Sequence, residues 1–506
     1  MITTENCRAS ITALLWEAVQ PTRVNALMTP SPITQGNTMR MKGLILLCAL
    51  TTTVILAACA TDNDQADIVV NNVSVIDPIA AMQTERSVVI RGAKIAGIYP
   101  ALSGAAATAP NVVDASGQFL IPGLWDMHVH FLYDPELTEP MADLFLQYGV
   151  TSVRDTGGNL NELVALRERL LQRSRPAPRV YFSGPLLDGR FVVYDGNDPA
   201  RPPLGIDVEN PETARTRVQH LKEAGADFIK IYELVQPAVY MSLVDAARSH
   251  GLPIASHVPL MFTADEAGPL ADSMEHLRNI EIACASNWQE LLAERRQTIT
   301  DFTEGLGYDL RRGLHNAQRV PAIEAYDETR CNEVLDTLQN TTQVPTLRLN
   351  TVTQQRPWER NDWPAALQDL PNGVAKQWLN RLDLMQRSGA PPNVRFSEWS
   401  LFLIARLLER SVPIAAGTDT PIGFGIPGYS LHTELELLVA GGMTPKQALY
   451  AATVAPTRFF GNSEQMGQIQ PGMAADLVLL NANPLENISN TRDIAAVMAQ
   501  GVWIKD

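Results

Sequence analysis

The stretch LIPGLWDMHVHF, residues 120–131, ends an apolar run with two histidines one residue apart. On a β-strand, side chains two residues apart point to the same face, so Asp126, His128 and His130 face one side together. Two interpretations are open: ordinary core histidines, or the first two ligands of a metal site. Because a single His-x-His is a weak signal, the rest of the chain must decide between them.

Short apolar runs alternate with helical stretches from residue 119 to residue 466. The strand-like runs are residues 123–130, 151–155, 179–184, 227–232, 253–257, 273–276, 344–350 and 413–419. Eight such repeats predict an α/β fold, a (β/α)8 TIM-like barrel, whose catalytic residues lie at the carboxyl ends of the strands. The segment at about 285–340 is too long for an ordinary connection, so we expect a helical insertion there that covers the site.

Both chain ends carry short alternating strands with Asn and Gly turns, at residues 66–118 and 467–506. Alternation of apolar and polar residues over short runs is typical of β-strands. The two ends therefore predict one small composite β-sandwich domain. The barrel, residues 119–466, would be inserted between its two halves.

Metal-ligating residue types recur where the strand-like runs end. Together with the first two histidines, the set is His128, His130, Lys230, His257, His276 and Asp419. A barrel would bring these strand ends to one face. Neutral imidazole and carboxylate are the usual ligands of zinc, which lowers the pKa of bound water to about 7. The pattern favours a metal site. Asp126 could be a further ligand, but its place just before the two histidines favours a residue that orients one of them.

Six motifs, PGLWDMHVH, DFIKIY, SHVP, MEHL, AAGTD and GQIQPGMAADLVLL, together resemble the amidohydrolase superfamily. The resemblance extends from about Ile68 to Asp506 and points to the imidazolonepropionase-related and Xaa-Pro dipeptidase (prolidase)-like branch. Members that resemble imidazolonepropionase most closely use one metal and lack the lysine of DFIKIY. Lys230 therefore favours the dipeptidase-like members.

The resemblance implies two divalent metal ions, expected to be zinc. The implied ligands are His128, His130 and Asp419 for the buried ion, and His257 and His276 for the exposed ion. Lys230 would be carboxylated by CO2, and its carbamate would bridge the two ions. An unmodified ammonium group would repel them.

The resemblance also implies the reaction. A metal-bridging hydroxide would attack a C–N amide bond of a dipeptide (Xaa-Pro-like) or an N-acyl amino acid. Asp419 would take the proton and pass it to the leaving amine. Tyr232 is either a hydrogen-bond donor to the scissile carbonyl or an ordinary packing residue. Arg348 and His315 are the further candidates for substrate binding.

A carboxylate-binding arginine is expected for such substrates. Arg154, Arg190 and Arg348 are the candidates, and Arg348 is favoured because it lies near the end of the seventh run. The formal net charge of −15 and the absence of a Lys/Arg cluster exclude nucleic acid as a partner. A homo-oligomer stays open.

Two other classes of function are considered. A lactonase, cyclic-imide hydrolase or deaminase would use the same metal site on another bond. The second of these alternatives is an inactive metal-binding or solute-binding lipoprotein. Asp419 speaks against this last reading, because binding alone needs no proton shuttle.

The stretch MKGLILLCALTTTVILAAC, residues 41–59, has the order of a secretory signal: positive charge, a short apolar run, then Leu-Ala-Ala-Cys. The last four residues resemble a bacterial lipobox. We expect residues 1–58 to be removed as an extension and signal peptide, Cys59 to be lipidated and residues 59–65 to form a linker. The expected location is the bacterial cell envelope, as a periplasm-facing lipoprotein, with the outer membrane favoured and the lipid as the only membrane contact.

Two cysteines, Cys284 and Cys331, lie in the barrel region. In an oxidising periplasm they could form a disulfide bond, or they could be two buried free thiols. The sequence leaves both alternatives open.

Overall fold

The computed structural model describes residues 67–108, 110–198, 201–388 and 394–505. The predicted signal segment, the linker and the lipidation site Cys59 lie outside these residues. Within the described ranges, every helix is too short or too polar to span a lipid bilayer.

The two chain ends form one eight-stranded sheet, in the order β17-β16-β15-β5-β1-β2-β3, with β4 paired to β1. Its strands are β1 (Ile68–Val75), β2 (Gln83–Arg91), β3 (Lys94–Pro100), β4 (Val112–Asp114), β5 (Phe119–Pro122), β15 (Leu477–Leu480), β16 (Ile494–Ala499) and β17 (Val502–Lys505). Strand β5 joins the two ends, because it runs parallel to β1 and antiparallel to β15. The sheet thus extends to Pro122, beyond the predicted boundary at 118.

The remaining strands are parallel and belong to the barrel. They are β6 (Leu124–Val129), β7 (Val150–Asp155), β8 (Arg179–Phe182), β9 (Leu186–Asp188), β10 (Gly205–Asp207), β11 (Ile229–Ile231), β12 (Ile254–Ser256), β13 (Ser273–Glu275) and β14 (Thr342–Val344). They pair in the orders β6-β7-β8 and β10-β9-β11-β12-β13-β14. The predicted α/β fold with a parallel sheet is confirmed.

The last predicted run, residues 413–419, lies between β14 and β6. The N–H of Ala415 donates to the carbonyl of Gln343 at 2.9 Å on one side, and the N–H of Met127 donates to Ala416 at 2.9 Å on the other. Isolated parallel bridges therefore replace a continuous eighth strand. They join the last strand of the barrel to the first.

The seventh predicted run, residues 344–350, is wrong in its extent. Strand β14 ends at Val344, and residues 347–350 form a short helix instead. Pro345 has no N–H to donate to a neighbouring strand, and Thr346 has a φ of 46°, in the left-handed region. These two residues turn the chain out of the sheet, so Arg348 lies on a helix.

Helices follow most barrel strands. They are α1 (Pro140–Gln147), α2 (Leu160–Leu171), α3 (Pro211–Glu223), α4 (Pro237–Ser249), α5 (Ala264–Ala267), α6 (Ile280–Ala283), α7 (Trp288–Asp301), α8 (Gly307–Glu324), α9 (Glu328–Thr337), α10 (Leu347–Asn350), α11 (Trp363–Leu367), α12 (Asn372–Ser388), α13 (Arg395–Glu409), α14 (Tyr429–Ala440), α15 (Pro445–Ala451) and α16 (Val454–Phe459). Helices α7, α8 and α9 fill the region predicted as an insertion.

Helix α3 illustrates how the sequence determines where a helix begins and which face it buries. The side chain of Asn210 caps its first turn by accepting hydrogen bonds from two backbone N–H groups, and proline occupies its first position. Ala214, Val218 and Leu221 are buried on one face, at the spacing of an amphipathic helix. Polar side chains cover the opposite face.

A disulfide bond joins Cys284, at the end of α6, to Cys331 in α9. Both residues are fully buried. The structure thus selects the paired alternative. The bond ties the two ends of the insertion together, with α7 and α8 between them.

Candidate metal centre

A cavity of about 360 Å³ lies at the carboxyl ends of the barrel strands. All six residues predicted as metal ligands line it: His128, His130, Lys230, His257, His276 and Asp419. Tyr232 also lines the cavity, with its ring centroid 4.4 Å from that of His257. The parallel sheet therefore brings together residues that lie up to about three hundred positions apart.

Two of the histidines are held by buried carboxylates. The Nδ1 atom of His128 lies 2.6 Å from Oε2 of Glu275, and Nδ1 of His257 lies 2.7 Å from Oε1 of Glu233. A carboxylate accepts the proton of Nδ1, which leaves Nε2 of the neutral ring as a free electron-pair donor. Glu275 and Glu233 therefore fix both the orientation and the tautomer of these two rings.

The other two histidines are held in the same way by neutral groups. Nδ1 of His130 donates to the carbonyl oxygen of Gly157 at 3.1 Å, and Nδ1 of His276 lies 2.7 Å from Oγ1 of Thr346. In all four histidines, Nδ1 is thus occupied by a protein partner. This is the arrangement expected of imidazoles that bind a metal through Nε2.

The donor atoms lie close enough to share a cation. Ligand atoms of His128, His276 and Asp419 all lie within 4.8 Å of one another. Oδ1 of Asp419 is 3.1 Å from Nε2 of His130 and 3.4 Å from Nε2 of His128. The structure therefore groups three of the predicted histidine ligands around the carboxylate of Asp419, while His257 packs on His276 with 4.8 Å between ring centroids.

The charge states of His128, His257 and Asp419 suit metal binding. Burial lowers the pKa of His128 to about 4 and that of His257 to about 3, so both rings are neutral at neutral pH. Burial raises the pKa of Asp419, but the neighbouring His128 and His130 outweigh burial and hold it below its usual range. Neutral imidazole and ionised carboxylate are the forms that bind zinc.

Lys230 is an unusual neighbour for these ligands. Its side chain is fully buried, and its Nζ has no hydrogen-bond partner among the described residues. The closest carboxylate oxygen, Oε1 of Glu275, is 4.0 Å away. Burial lowers the pKa of Lys230 to about 7, so a large fraction of the amine is uncharged at neutral pH.

Two predicted substrate-binding residues lie outside the cavity wall. The guanidinium of Arg348 donates to the carbonyls of Thr418 at 2.6 Å, Gly423 at 3.2 Å and Ile422. Its donors support the loop after Asp419.

His315 lies behind the wall. Its Nε2 is 2.6 Å from Oε2 of Glu233, and its Nδ1 accepts a hydrogen bond from Arg319 at 3.0 Å. His315 therefore supports Glu233, which in turn holds His257.

The remaining residues singled out in the sequence have other places. Arg154 is buried beneath the cavity, where it donates to Oε1 of Glu275 at 2.7 Å, whereas Arg190 is exposed. Asp126 accepts hydrogen bonds from the backbone N–H of His128 at 3.2 Å and from that of Thr418 at 2.9 Å. Asp126 thus fixes the backbone of His128 rather than its ring.

Sequence reasoning missed three arginines that line the cavity: Arg278, Arg311 and Arg319. Arg311 and Arg319 share helix α8 with His315, and the three residues are spaced by four positions. This spacing places them on one helical face and was a signal available in the sequence. Arg278 follows His276 by two residues and carried no comparable signal.

Residues 400–504 match the Amidohydrolase family. Ochratoxinase from Aspergillus niger is 39% identical over 92 residues, which are 18% of this chain and 18% of that enzyme. Imidazolonepropionase from Colwellia psychrerythraea (strain 34H) is 22% identical over 380 residues, or 74% of this chain and 78% of that enzyme. A solved Xaa-Pro dipeptidase with bound methionine in its active site has a TM-score of 0.62 at 20% identity, covering 87% of this chain and 100% of that chain.

These findings relate this chain to the amidohydrolases. The chain carries an amidohydrolase family domain, and it shares its fold with the solved Xaa-Pro dipeptidase. The ochratoxinase match spans less than a fifth of that relative's length. The matched region and the shared fold agree with the predicted family, and the activity of the whole chain and its substrate are matters for proposal.

Proposed function

We propose that this protein hydrolyses the amide bond of a dipeptide (Xaa-Pro-like) or an N-acyl amino acid, using two divalent metal ions, expected to be zinc. The observation that carries the proposal is the common arrangement of the four cavity histidines. Each has Nδ1 engaged by a protein partner, which leaves Nε2 available to a metal. The ligands would be His128, His130, the Lys230 carbamate, His257, His276 and Asp419.

Divalent ions in such a site polarise a carbonyl and lower the pKa of bound water to about 7. The chain itself prepares Lys230 for carboxylation. Its uncharged amine can attack CO2, lose one proton and become a carbamate anion. The isolation of Nζ from protein partners, at 4.0 Å from Glu275, supports this step because the amine is free to react.

Asp419 would transfer the proton, and Tyr232 would donate a hydrogen bond to the substrate carbonyl. Asp419 is buried and ionised, so it can accept a proton and deliver it to the leaving amine. Burial raises the pKa of Tyr232 well above its usual range, which keeps its hydroxyl protonated and able to donate to the substrate carbonyl.

The predicted location is retained as a proposal: a lipid anchor on Cys59 and a place in the bacterial cell envelope. The Cys284–Cys331 disulfide supports this location, because disulfides persist in oxidising compartments.

The test measures zinc per chain and amide hydrolysis in bicarbonate buffer, for the wild type, Lys230→Ala and the control Lys222→Ala, whose side chain is exposed on α3. The panel contains dipeptides and N-acyl amino acids, with lactones and cyclic imides as the alternative substrates. We expect about two zinc ions per chain, and we expect Lys230→Ala alone to lose both zinc and hydrolysis. One ion or none, unchanged in Lys230→Ala, would overturn the bridged site; hydrolysis of the alternative panel alone would overturn the amide substrate.

A further inference from the structure

Three arginines bring positive charge to the cavity wall, and two of them are held closely by a carboxylate. Nη2 of Arg311 lies 2.8 Å from Oε1 of Glu233, and Nε of Arg319 lies 3.3 Å from Oε1 of Glu281. The carboxylate oxygen nearest to Arg278 is the same Oε1 of Glu233, at 3.9 Å. Arg278 makes no hydrogen bond with any described residue, so it shares the Glu233 carboxylate only through a long ion pair and its N–H donors stay unused.

The backbone that carries Arg278 is strained. His276, Leu277 and Asn279 have φ values of 66°, 55° and 67°, in the left-handed region that residues other than glycine rarely occupy. Such conformations persist where the surrounding structure enforces them, and they cluster at ligand-binding sites. The chain therefore maintains a costly conformation at the segment that presents Arg278.

Buried hydrogen bonds hold this segment in place. The amide of Asn279 donates to the carbonyl of Val258 at 2.9 Å, and its oxygen accepts from Arg295 at 2.9 Å. Asn279 and Arg295 are fully buried. Arg278 itself keeps a side chain that is 18% exposed, on the cavity side. Its neighbours are thus fixed by the core, while its guanidinium faces the open cavity.

We propose that Arg278 binds the carboxylate of the substrate, on the amino acid that leaves when the amide bond is cleaved. The inference rests on the proposed function and adds the residue that selects an acidic group. A guanidinium matches a carboxylate with two parallel hydrogen bonds, and a guanidinium that makes no hydrogen bond within the described residues has its donors free for that purpose.

The other cavity arginines are engaged elsewhere. Arg319 also donates to His315 at 3.0 Å and packs over the ring of Phe396, with 4.0 Å from its guanidinium carbon to the ring centroid. Arg311 is held by Glu233. They add to the positive potential of the cavity, which draws an anion towards Arg278.

The experiment measures binding rather than turnover. Zinc-loaded full-length wild type, Arg278→Gln and Arg278→Lys are titrated by calorimetry with the twenty L-amino acids and with their carboxamides. Each carboxamide has the shape of the amino acid but lacks the negative charge. Arg296→Gln is the control, because Arg296 is an exposed arginine of the insertion that lies outside the cavity wall.

For the amino acids that bind, we expect the wild type and the control to prefer the acid over the carboxamide by about 10- to 100-fold. Arg278→Gln should abolish this preference, and Arg278→Lys should retain part of it. Zinc content and melting temperature of the variants should equal those of the wild type, which excludes an effect through His276 or through folding.

Three outcomes overturn the inference: no free amino acid binds, acids and carboxamides bind equally to the wild type, or Arg278→Gln keeps the preference. If no amide is hydrolysed but the acids bind through Arg278, the proposed reaction is wrong and the carboxylate site is supported. If amides are hydrolysed but acids bind no better than carboxamides, the proposed reaction is supported and the role of Arg278 is wrong.

Discussion

The Nδ1 atom of His128, at the end of β6, lies 2.6 Å from Oε2 of Glu275, at the end of β13. The other oxygen of this buried carboxylate accepts a hydrogen bond from Arg154 at 2.7 Å and lies 4.0 Å from Nζ of Lys230. One carboxylate therefore sets the orientation of a proposed metal ligand and the environment of the proposed carbamate. Because it lies beneath the cavity floor, its role can be tested without removing a ligand.

We expect Glu275→Gln to weaken zinc binding by about 10- to 100-fold, because Gln cannot accept the Nδ1 proton as a charged group. Competition with a chelator measures the affinity. Glu136→Gln, at an exposed position, is the control. Unchanged zinc affinity in Glu275→Gln would contradict the role given to this carboxylate.

Glu233 offers a separate test of the second metal position. It holds His257 at 2.7 Å and is itself held by Arg311 and His315. We expect Glu233→Gln to lower the zinc content from about two ions per chain to about one, because only the ion at His257 and His276 loses its support. Zinc titration followed by elemental analysis gives the count. Equal loss of both ions would show that the two positions are not independent.

Gly417 gives a steric test of the site. A Cβ at this position would lie 2.6 Å from Cγ1 of Val344 and 3.0 Å from the backbone N of His128, so Gly417→Ala must displace the strand that carries His128. We expect a loss of stability of about 1–3 kcal/mol, together with weaker zinc binding. Gly313→Ala is the matched control, because a Cβ there meets no atom within 4 Å and alanine favours the helix. Equal melting temperatures for the two variants would contradict the prediction.

The disulfide bond should stabilise the insertion. Its cysteines are 47 residues apart in the sequence, and the chain-entropy treatment of a loop of this length gives about 4 kcal/mol. We expect Cys284→Ala/Cys331→Ala to lower the melting temperature and to open helices α7 and α8 to proteolysis. Limited proteolysis with mass spectrometry locates the cleavage. A double variant as stable and as resistant as the wild type would show that packing alone holds the insertion.

Glu434 predicts how stability depends on pH. It is fully buried and accepts hydrogen bonds from the backbone N–H groups of Leu347 at 2.9 Å and Arg348 at 2.8 Å. Burial raises the pKa of Glu434 from 4.5 to about 8. Between pH 4.5 and about pH 8, the folded protein therefore keeps a proton on this carboxyl group that the unfolded chain has lost. Its contribution to the free energy of unfolding therefore falls as the pH rises through this range.

The measurement compares melting temperatures of the wild type and Glu434→Gln between about pH 5 and about pH 9. The side chain of Gln carries no titrating group. We expect the wild type to lose stability relative to the variant as the pH rises. Parallel curves over the whole range would show that Glu434 does not titrate there.

Local pattern was sufficient for most of the strands and for the candidate ligands at their ends. The run predicted at 151–155 is strand β7, Val150–Asp155, and the histidines of the first run line the cavity. Alternation with period two is a property of the strand itself, so it places His128 and His130 on one face whatever lies around them. Parallel strands then bring all their carboxyl ends to one side.

Local pattern failed where the chain leaves the sheet. Arg348 was predicted at a strand end. The positive φ of Thr346 turns the chain out of the strand, so the side chain of Arg348 points towards the backbone carbonyls of a neighbouring loop. The hydrogen-bond partners of the histidines could not be predicted from local pattern either. Glu275 and His128, for example, lie 147 residues apart. No periodicity reports contacts of this kind.

By itself, then, the sequence determined the parallel α/β architecture, the composite sheet of the two chain ends and the six candidate metal ligands that line the cavity. These follow from repeating patterns and from residue types that act over a few positions. Only the tertiary structure decided which cavity arginine keeps its donors free of hydrogen bonds, which carboxylate holds which histidine, and that Cys284 and Cys331 are bonded. Those relationships depend on distances across the barrel, which are fixed when the core packs and not by any local stretch of the chain.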